Sequence, residues 1–311
     1  MALARASPAP GTMVARTSLA PGHDGRSDHP RSGHDGRTVL VGQNVRVRAL
    51  LIGIIVILVA LAGGAVGVDF GTAIYAEYRL SRTLRAEAGL GFDPWVSILG
   101  FPFIPQAMRH RYAEVEFRAN GVDRPIIGEA SLEATMYSID LTQASWLVRP
   151  SAPLPAGKVE SRVIIDSTHL GRFMGINDLL VEAPPKETND ATGGTTESGI
   201  SSSMGLVFTG TPKVAGFKER VSVSVDLSMT GPDTTTLVFT ATGILTGPAT
   251  ADRKVPDDKL DAVLAAFSKR LPGQKLPFGI APSREGARGS DVIIQGIAEG
   301  LTLRLDQFNP S

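Results

Sequence analysis

Twenty consecutive residues, Ala49 to Val68, carry no charge and no strongly polar side chain. At about 1.5 Å of rise per residue, a helix of that length spans the roughly 30 Å hydrocarbon core of a bilayer. A soluble surface helix shows a polar stripe, and this run has none. The sequence therefore predicts a transmembrane helix over 49–69. Arg46 and Arg48 flank its start and Asp69 its end. Residues 1–69 hold seven arginines against four aspartates. That excess of positive charge before the span predicts a single-pass cell-membrane protein with a cytoplasmic N-terminus and an extracytoplasmic, periplasmic domain over 70–311. The alternative is a cleaved signal peptide. Its apolar core would be shorter, although Ala62-Gly63-Gly64-Ala65 would admit cleavage.

Residues 1–48 are rich in Pro, Gly, Ser, Arg and Asp and read as a disordered tail. Gly-His-Asp-Gly-Arg occurs there twice, at 22–26 and 33–37. His23, His29 and His34 read as incidental to that tail rather than as metal ligands. After the span, Ala76, Leu80, Leu84 and Ala88 recur every four residues, which predicts a helix over Thr72–Gly89. Arg79, Arg82 and Arg85 form a basic stripe on it, expected to be a solvated face or, alternatively, a contact for anionic head groups.

Period-2 patterns then take over. Val115, Phe117 and Ala119, with Ala113, alternate with Glu114, Glu116 and Arg118, and Val221 through Met229 alternate with Ser222, Ser224, Asp226 and Ser228. Val159, Val163 and Ile165 repeat the pattern, and 125–140, 204–211, 234–246 and 291–305 are further strand candidates. Short helices are expected near 105–110 and 168–176. Residues 184–203 read as a flexible polar loop between two β-rich halves. A second amphipathic helix is expected over Asp257–Leu271, with acidic residues at its start and Lys269 and Arg270 at its end. The expected fold class is α+β: a curved, twisted antiparallel sheet wrapping one or two amphipathic helices, preceded by the transmembrane helix.

Chemistry is sparse. The chain has no cysteine, which excludes disulfides and thiol catalysis. Its 31 basic and 31 acidic residues balance, so no charge excess argues for a nucleic-acid partner. Motifs for nucleotide binding, serine hydrolysis or zinc proteolysis are absent from the sequence. Outside the tail only His110 and His169 remain, too few for a metal site of their own. No catalytic residue, metal or cofactor is expected, and the chain does not read as an enzyme. A hydrolase or transferase would need a polar cluster converging on one of those histidines.

The most distinctive stretch is apolar. Gly91 to Met108 concentrates Trp95, Phe92, Phe101, Phe103, Ile104 and Met108 between Gly and Pro breakers. It reads as a strand, a Pro-bounded turn and a short helix. Core packing explains any one of these residues. Together they suggest the wall of an apolar cavity, lined or gated by Trp95, Phe101, Phe103, Ile104, Met108, Phe173 and Met174. Burying an acyl chain yields about 0.8 kcal/mol per CH₂, so a lipid site needs no catalytic group.

Gly100-Phe101-Pro102-Phe103-Ile104, then Arg111-Tyr112-Ala113-Glu114-Val115 and Ala119-Asn120-Gly121-Val122, resembles the pattern of the LmeA family of actinobacteria. Leu276-Pro277-Phe278-Gly279-Ile280 and Val292-Ile293-Ile294-Gln295-Gly296 resemble its closing section. The resemblance covers about 72–305. It implies a fold like the tubular lipid-binding proteins, phospholipid as ligand, and a place in the cell envelope. It also implies support of mannan elongation in lipomannan, beside envelope glycosyltransferases. The alternative is an envelope scaffold that recruits glycosyltransferases and binds no lipid.

Overall fold

The computed structural model describes residues 40–142, 152–184, 199–214, 216–231 and 233–310. Most of the tail over 1–48, including its three histidines, and most of the 184–203 loop lie outside the described residues. The chain divides into two units, 1–58 and 59–311. Helix α1 (Leu40–Glu87) begins in the first and ends in the second.

From Val47 onward α1 is long and apolar enough to cross a membrane, with a mean hydropathy of 2.9 in its most apolar window. The two helical segments expected on either side of Asp69 are one helix. No proline interrupts it, and the Asp69 carboxylate finds its partners outside the helix rather than in its own backbone. In the second unit the face of α1 carrying Ala76, Leu80 and Leu84 is buried, as is Ala88 just past its end, while Arg79, Arg82 and Arg85 point outward, as the fourfold spacing requires.

Among the described residues eleven strands form two open antiparallel sheets. The first comprises β1 (Trp95–Leu99), β2 (Arg111–Arg124), β3 (Gly128–Asp140), β4 (Leu154–Ile165), β10 (Arg284–Arg288) and β11 (Asp291–Leu303), in the order β1-β2-β3-β4-β11-β10. The second comprises β5 (Leu180–Glu182), β6 (Leu206–Gly210), β7 (Val221–Thr230), β8 (Thr236–Leu245) and β9 (Lys269–Leu271), in sequence order. The one curved sheet expected from sequence is thus two. β11 returns to pair with β4 from Val292↔Ile165 to Leu303↔Leu154. That occupies the edge of β4 on which β5 would have continued the first sheet in sequence order.

Each sheet carries a helix on its apolar face. Leu80 of α1 faces Val115, Phe117, Met136, Ile139 and Leu154 across a void of about 10 Å³. Helix α4 (Asp257–Phe267) packs on β7 and β8 through Val263 and Phe267. It ends earlier than the expected Leu271. Ser268 turns extended and its hydroxyl bonds the Ala241 amide, so Lys269–Leu271 joins β8 as an edge strand. Two short helices, α2 (Phe103–Arg109) and α3 (Ser167–Met174), match the sequence reading.

Candidate functional site

Between Asp93 and Ile104 the chain runs antiparallel to α1 and is tied to it rung by rung. Arg85 donates to Asp93 at 3.2 Å, the Ser81 hydroxyl to the Pro94 carbonyl at 2.6 Å, and the Ile98 amide to Glu77 at 2.7 Å. At the last rung Asp69 accepts the amides of Phe103 and Ile104, each at 2.7 Å. These are the orphan first-turn donors of α2, so a carboxylate 34 residues earlier replaces the missing local cap. The Phe101 ring stacks on Phe70 of α1 at 5.8 Å between centroids.

The turn before α2 is fixed by Gln106. Its amide nitrogen donates to the Gly100 carbonyl at 2.7 Å and its oxygen accepts the Ala113 amide at 3.0 Å. Gly100 sits at φ +105°, and a Cβ there would fall 2.8 Å from that nitrogen, so glycine is required. Ala113, expected to point inward, is exposed instead. The β2–β3 pairing passes from Tyr112↔Ile139 to Glu114↔Tyr137 and skips Ala113 and Ser138, with Ser138 at φ 53°.

A groove of about 570 Å³ lies between the turn, α2 and this end of β3. Phe101, Pro102 and Pro105 form an apolar side. Arg109, Arg111, Ser138 and Asp140 form a polar one. Arg111 bonds Asp140 at 3.1 Å. The Thr142 hydroxyl and amide, followed by Arg111, hold the Asp140 carboxyl below its ordinary range. Among the described residues Arg109 has no ion-pair partner, so its charge faces solvent.

The residues expected to line a cavity separate into four places. Phe101 lines the groove; Met108, exposed, and Ile104, half-buried, lie on α2 outside its lining. Phe103 is buried against Tyr112 in the core. Trp95 stands on the outer face of the first sheet, with the Arg118 guanidinium 4.9 Å from its ring. Half-buried Phe173 and buried Met174 belong to α3, near the start of β3 and away from the groove at its end. Sequence reasoning missed Asp69, Phe70, Gln106, Arg109, Arg111, Ser138 and Asp140. Only the two arginines flanking His110 gave a local signal.

The histidines do not converge. His110 closes α2 in a left-handed conformation, and its carbonyl accepts the Leu141 amide just past β3. His169 lies against Gly128 at the other end of that strand. The length of β3 is roughly 40 Å at 3.3 Å per residue. His169 pairs with Asp166, whose carboxylate also caps α3. Among the described residues no group of three His, Asp or Glu is placed to hold a metal.

An open groove with an aromatic wall and two arginines suits an amphiphile: a binding domain of the α+β class, led by a candidate membrane span. Comparison with known families gives the same answer. Residues 67–297 match the family described as LmeA-like phospholipid-binding, and the chain belongs to that family. Comparison with curated proteins and with solved structures returned no match.

Proposed function

We propose that this is a membrane-anchored, non-catalytic phospholipid-binding protein of the cell envelope. The observation that carries the reading is the groove. Its volume of about 570 Å³ lies within the range of roughly 300–1,000 Å³ typical of ligand sites. In this reading Phe101, Pro102 and Pro105 meet the glycerol and upper acyl chain, and Met108 and Ile104 gate the site. Arg109 and Arg111 meet the phosphate. The helix carried on the apolar face of each sheet supports kinship with the tubular lipid-binding folds. The arginine-rich N-terminal segment supports a cytoplasmic N-terminus, and the family resemblance supports a role in lipomannan elongation. Native mass spectrometry of the full chain, extracted in mild detergent, tests the core of the proposal. The expected result is a copurified phospholipid whose occupancy drops in Phe101→Asp. No bound phospholipid, and no uptake of a fluorescent phospholipid, would overturn it.

The scaffold reading draws on a different observation. The void beneath Leu80 is about 10 Å³, close to the volume of one water probe, and holds no acyl chain. If no lipid binds and glycosyltransferases copurify, the scaffold reading stands in its place.

A further inference from the structure

The rungs that tie Asp93–Ile104 to α1 descend toward the apolar run. Arg85, Ser81, Glu77 and Asp69 are bonded in turn to Asp93, Pro94, Ile98 and Phe103. Over these 16 residues α1 falls by about 24 Å. The low end of the segment is therefore the Asp69–Phe103 rung, and the turn at Phe101 sits just above it. That turn lies level with Phe70, about 3 Å along the axis from Val68, where the uncharged run ends. At this level the protein leaves apolar surface uncovered. Phe70 is 55% exposed and Phe101 64%, although their rings stack on each other. Ile74, one turn further along, is 63% exposed. Exposed Phe and Ile side chains beside the end of an apolar helix suit burial at the boundary between head groups and acyl chains. The head-group layer is roughly 5–8 Å deep on each side of the hydrocarbon core, deep enough to contain this pair.

From this geometry we infer that the Phe70–Phe101 pair and Ile74 seat in the head-group layer of the leaflet where the span ends. The occupant of this surface is the phospholipid bilayer itself. Continuity with the apolar run argues for it, and so does charge. Phe101 also walls the groove lined by Arg109 and Arg111, so the groove lies beside the phosphates, and Arg109, without an ion-pair partner among the described residues, is exposed there. The domain thereby has a fixed height and a fixed face against the membrane, rather than swinging freely on its helix. The inference rests on the membrane anchoring proposed above, and does not require lipid in the groove.

The absence of native cysteine makes the test clean. Leu61→Cys, Phe101→Cys and Met204→Cys are each labelled with a polarity-sensitive fluorophore. Each full-length protein is reconstituted into vesicles of phosphatidylcholine with anionic phosphatidylglycerol. Quenching by aqueous iodide is compared with quenching by nitroxides attached to lipid head groups or acyl chains. Leu61 should respond to acyl-chain nitroxides, Phe101 to head-group nitroxides, and Met204, exposed elsewhere on the domain, to iodide. Iodide quenching at Phe101 should be several-fold below that at Met204. If Leu61 is lipid-buried while Phe101 behaves like Met204, the anchor stands and the seating is wrong. Shielding of Phe101 without quenching by lipid nitroxides means a protein covers it, which also overturns the inference. If iodide reaches Leu61, the anchoring itself has failed.

Discussion

The Asp69 carboxylate and the Phe103 amide are joined at 2.7 Å, linking the end of the uncharged run to the first turn of α2. Asp69 is only 6% exposed and also holds the Ile104 amide. Without it the buried Phe103 amide and the part-buried Ile104 amide would each lose their partner. Asp69→Ala should therefore cost about 1–3 kcal/mol, the penalty of unsatisfied buried donors, and Asp69→Asn less, because one acceptor remains. Denaturant unfolding of the detergent-solubilised chain measures both. Equal stability of Asp69→Ala and the parent would show that the cap contributes nothing.

The α1 face toward the first sheet predicts a sharp asymmetry. Leu80 is 2% exposed and already borders a small void. Leu80→Ala enlarges that void and should cost about 2–5 kcal/mol. Tyr78 stands on the opposite face at 52% exposure. Tyr78→Ala should change stability by no more than about 0.5 kcal/mol. A similar loss in both variants would contradict the assignment of faces.

That asymmetry was legible in the sequence, because Ala76, Leu80, Leu84 and Ala88 repeat at the helical period and burial follows it. The Val221–Met229 alternation was equally readable, and Val221, Val223 and Val225 are fully buried. The failures share a cause: they depend on partners distant in the chain. Leu271 continues the helical period but is claimed by β8. Ala113 fits the strand alternation until a skipped pair with Ser138 turns it outward. The groove needs Phe101, Arg109 and Ser138 together, and no local pattern joins a turn, a short helix and the irregular end of a strand.

The two groove arginines should differ in effect. Arg111 is partly neutralised by Asp140, whereas Arg109 has no ion-pair partner among the described residues. Each basic residue near an anionic surface contributes about 1 kcal/mol, or about fivefold in affinity. Arg109→Glu should weaken phospholipid binding by at least that factor, and Arg111→Glu by less at low salt. Raising ionic strength should shrink both effects. Equal affinities for all three proteins in a lipid-transfer titration would remove the arginines from the site.

Acid stability should depend on Asp178. Burial pushes its carboxyl up, but the amide and hydroxyl of Thr211, each at 2.8 Å, outweigh this and hold it below the ordinary range. A carboxyl lowered in the folded state stabilises above its unfolded pKa of about 3.9. The contribution is lost as pH falls through the lower folded value. Asp178→Asn should be less stable than the parent at pH 7, with the gap closing in strong acid. A gap that is constant with pH would point to the hydrogen bonds alone.

Glu285 on β10 should behave in the opposite sense. Its carboxyl is raised because burial disfavours the charged form. A group whose folded pKa exceeds its unfolded value of about 4.3 favours the folded state once protonated. That contribution is complete below the unfolded value and disappears as pH rises through the folded one. At neutral pH the ionised side chain is therefore a net cost. Glu285→Gln keeps the shape and removes the charge, so it should raise the melting temperature at pH 7. The gain should fade as pH falls below about 4, where the parent is protonated in both states. A variant less stable than the parent at pH 7 would mean that the carboxylate has a stabilising partner on β10 or β11.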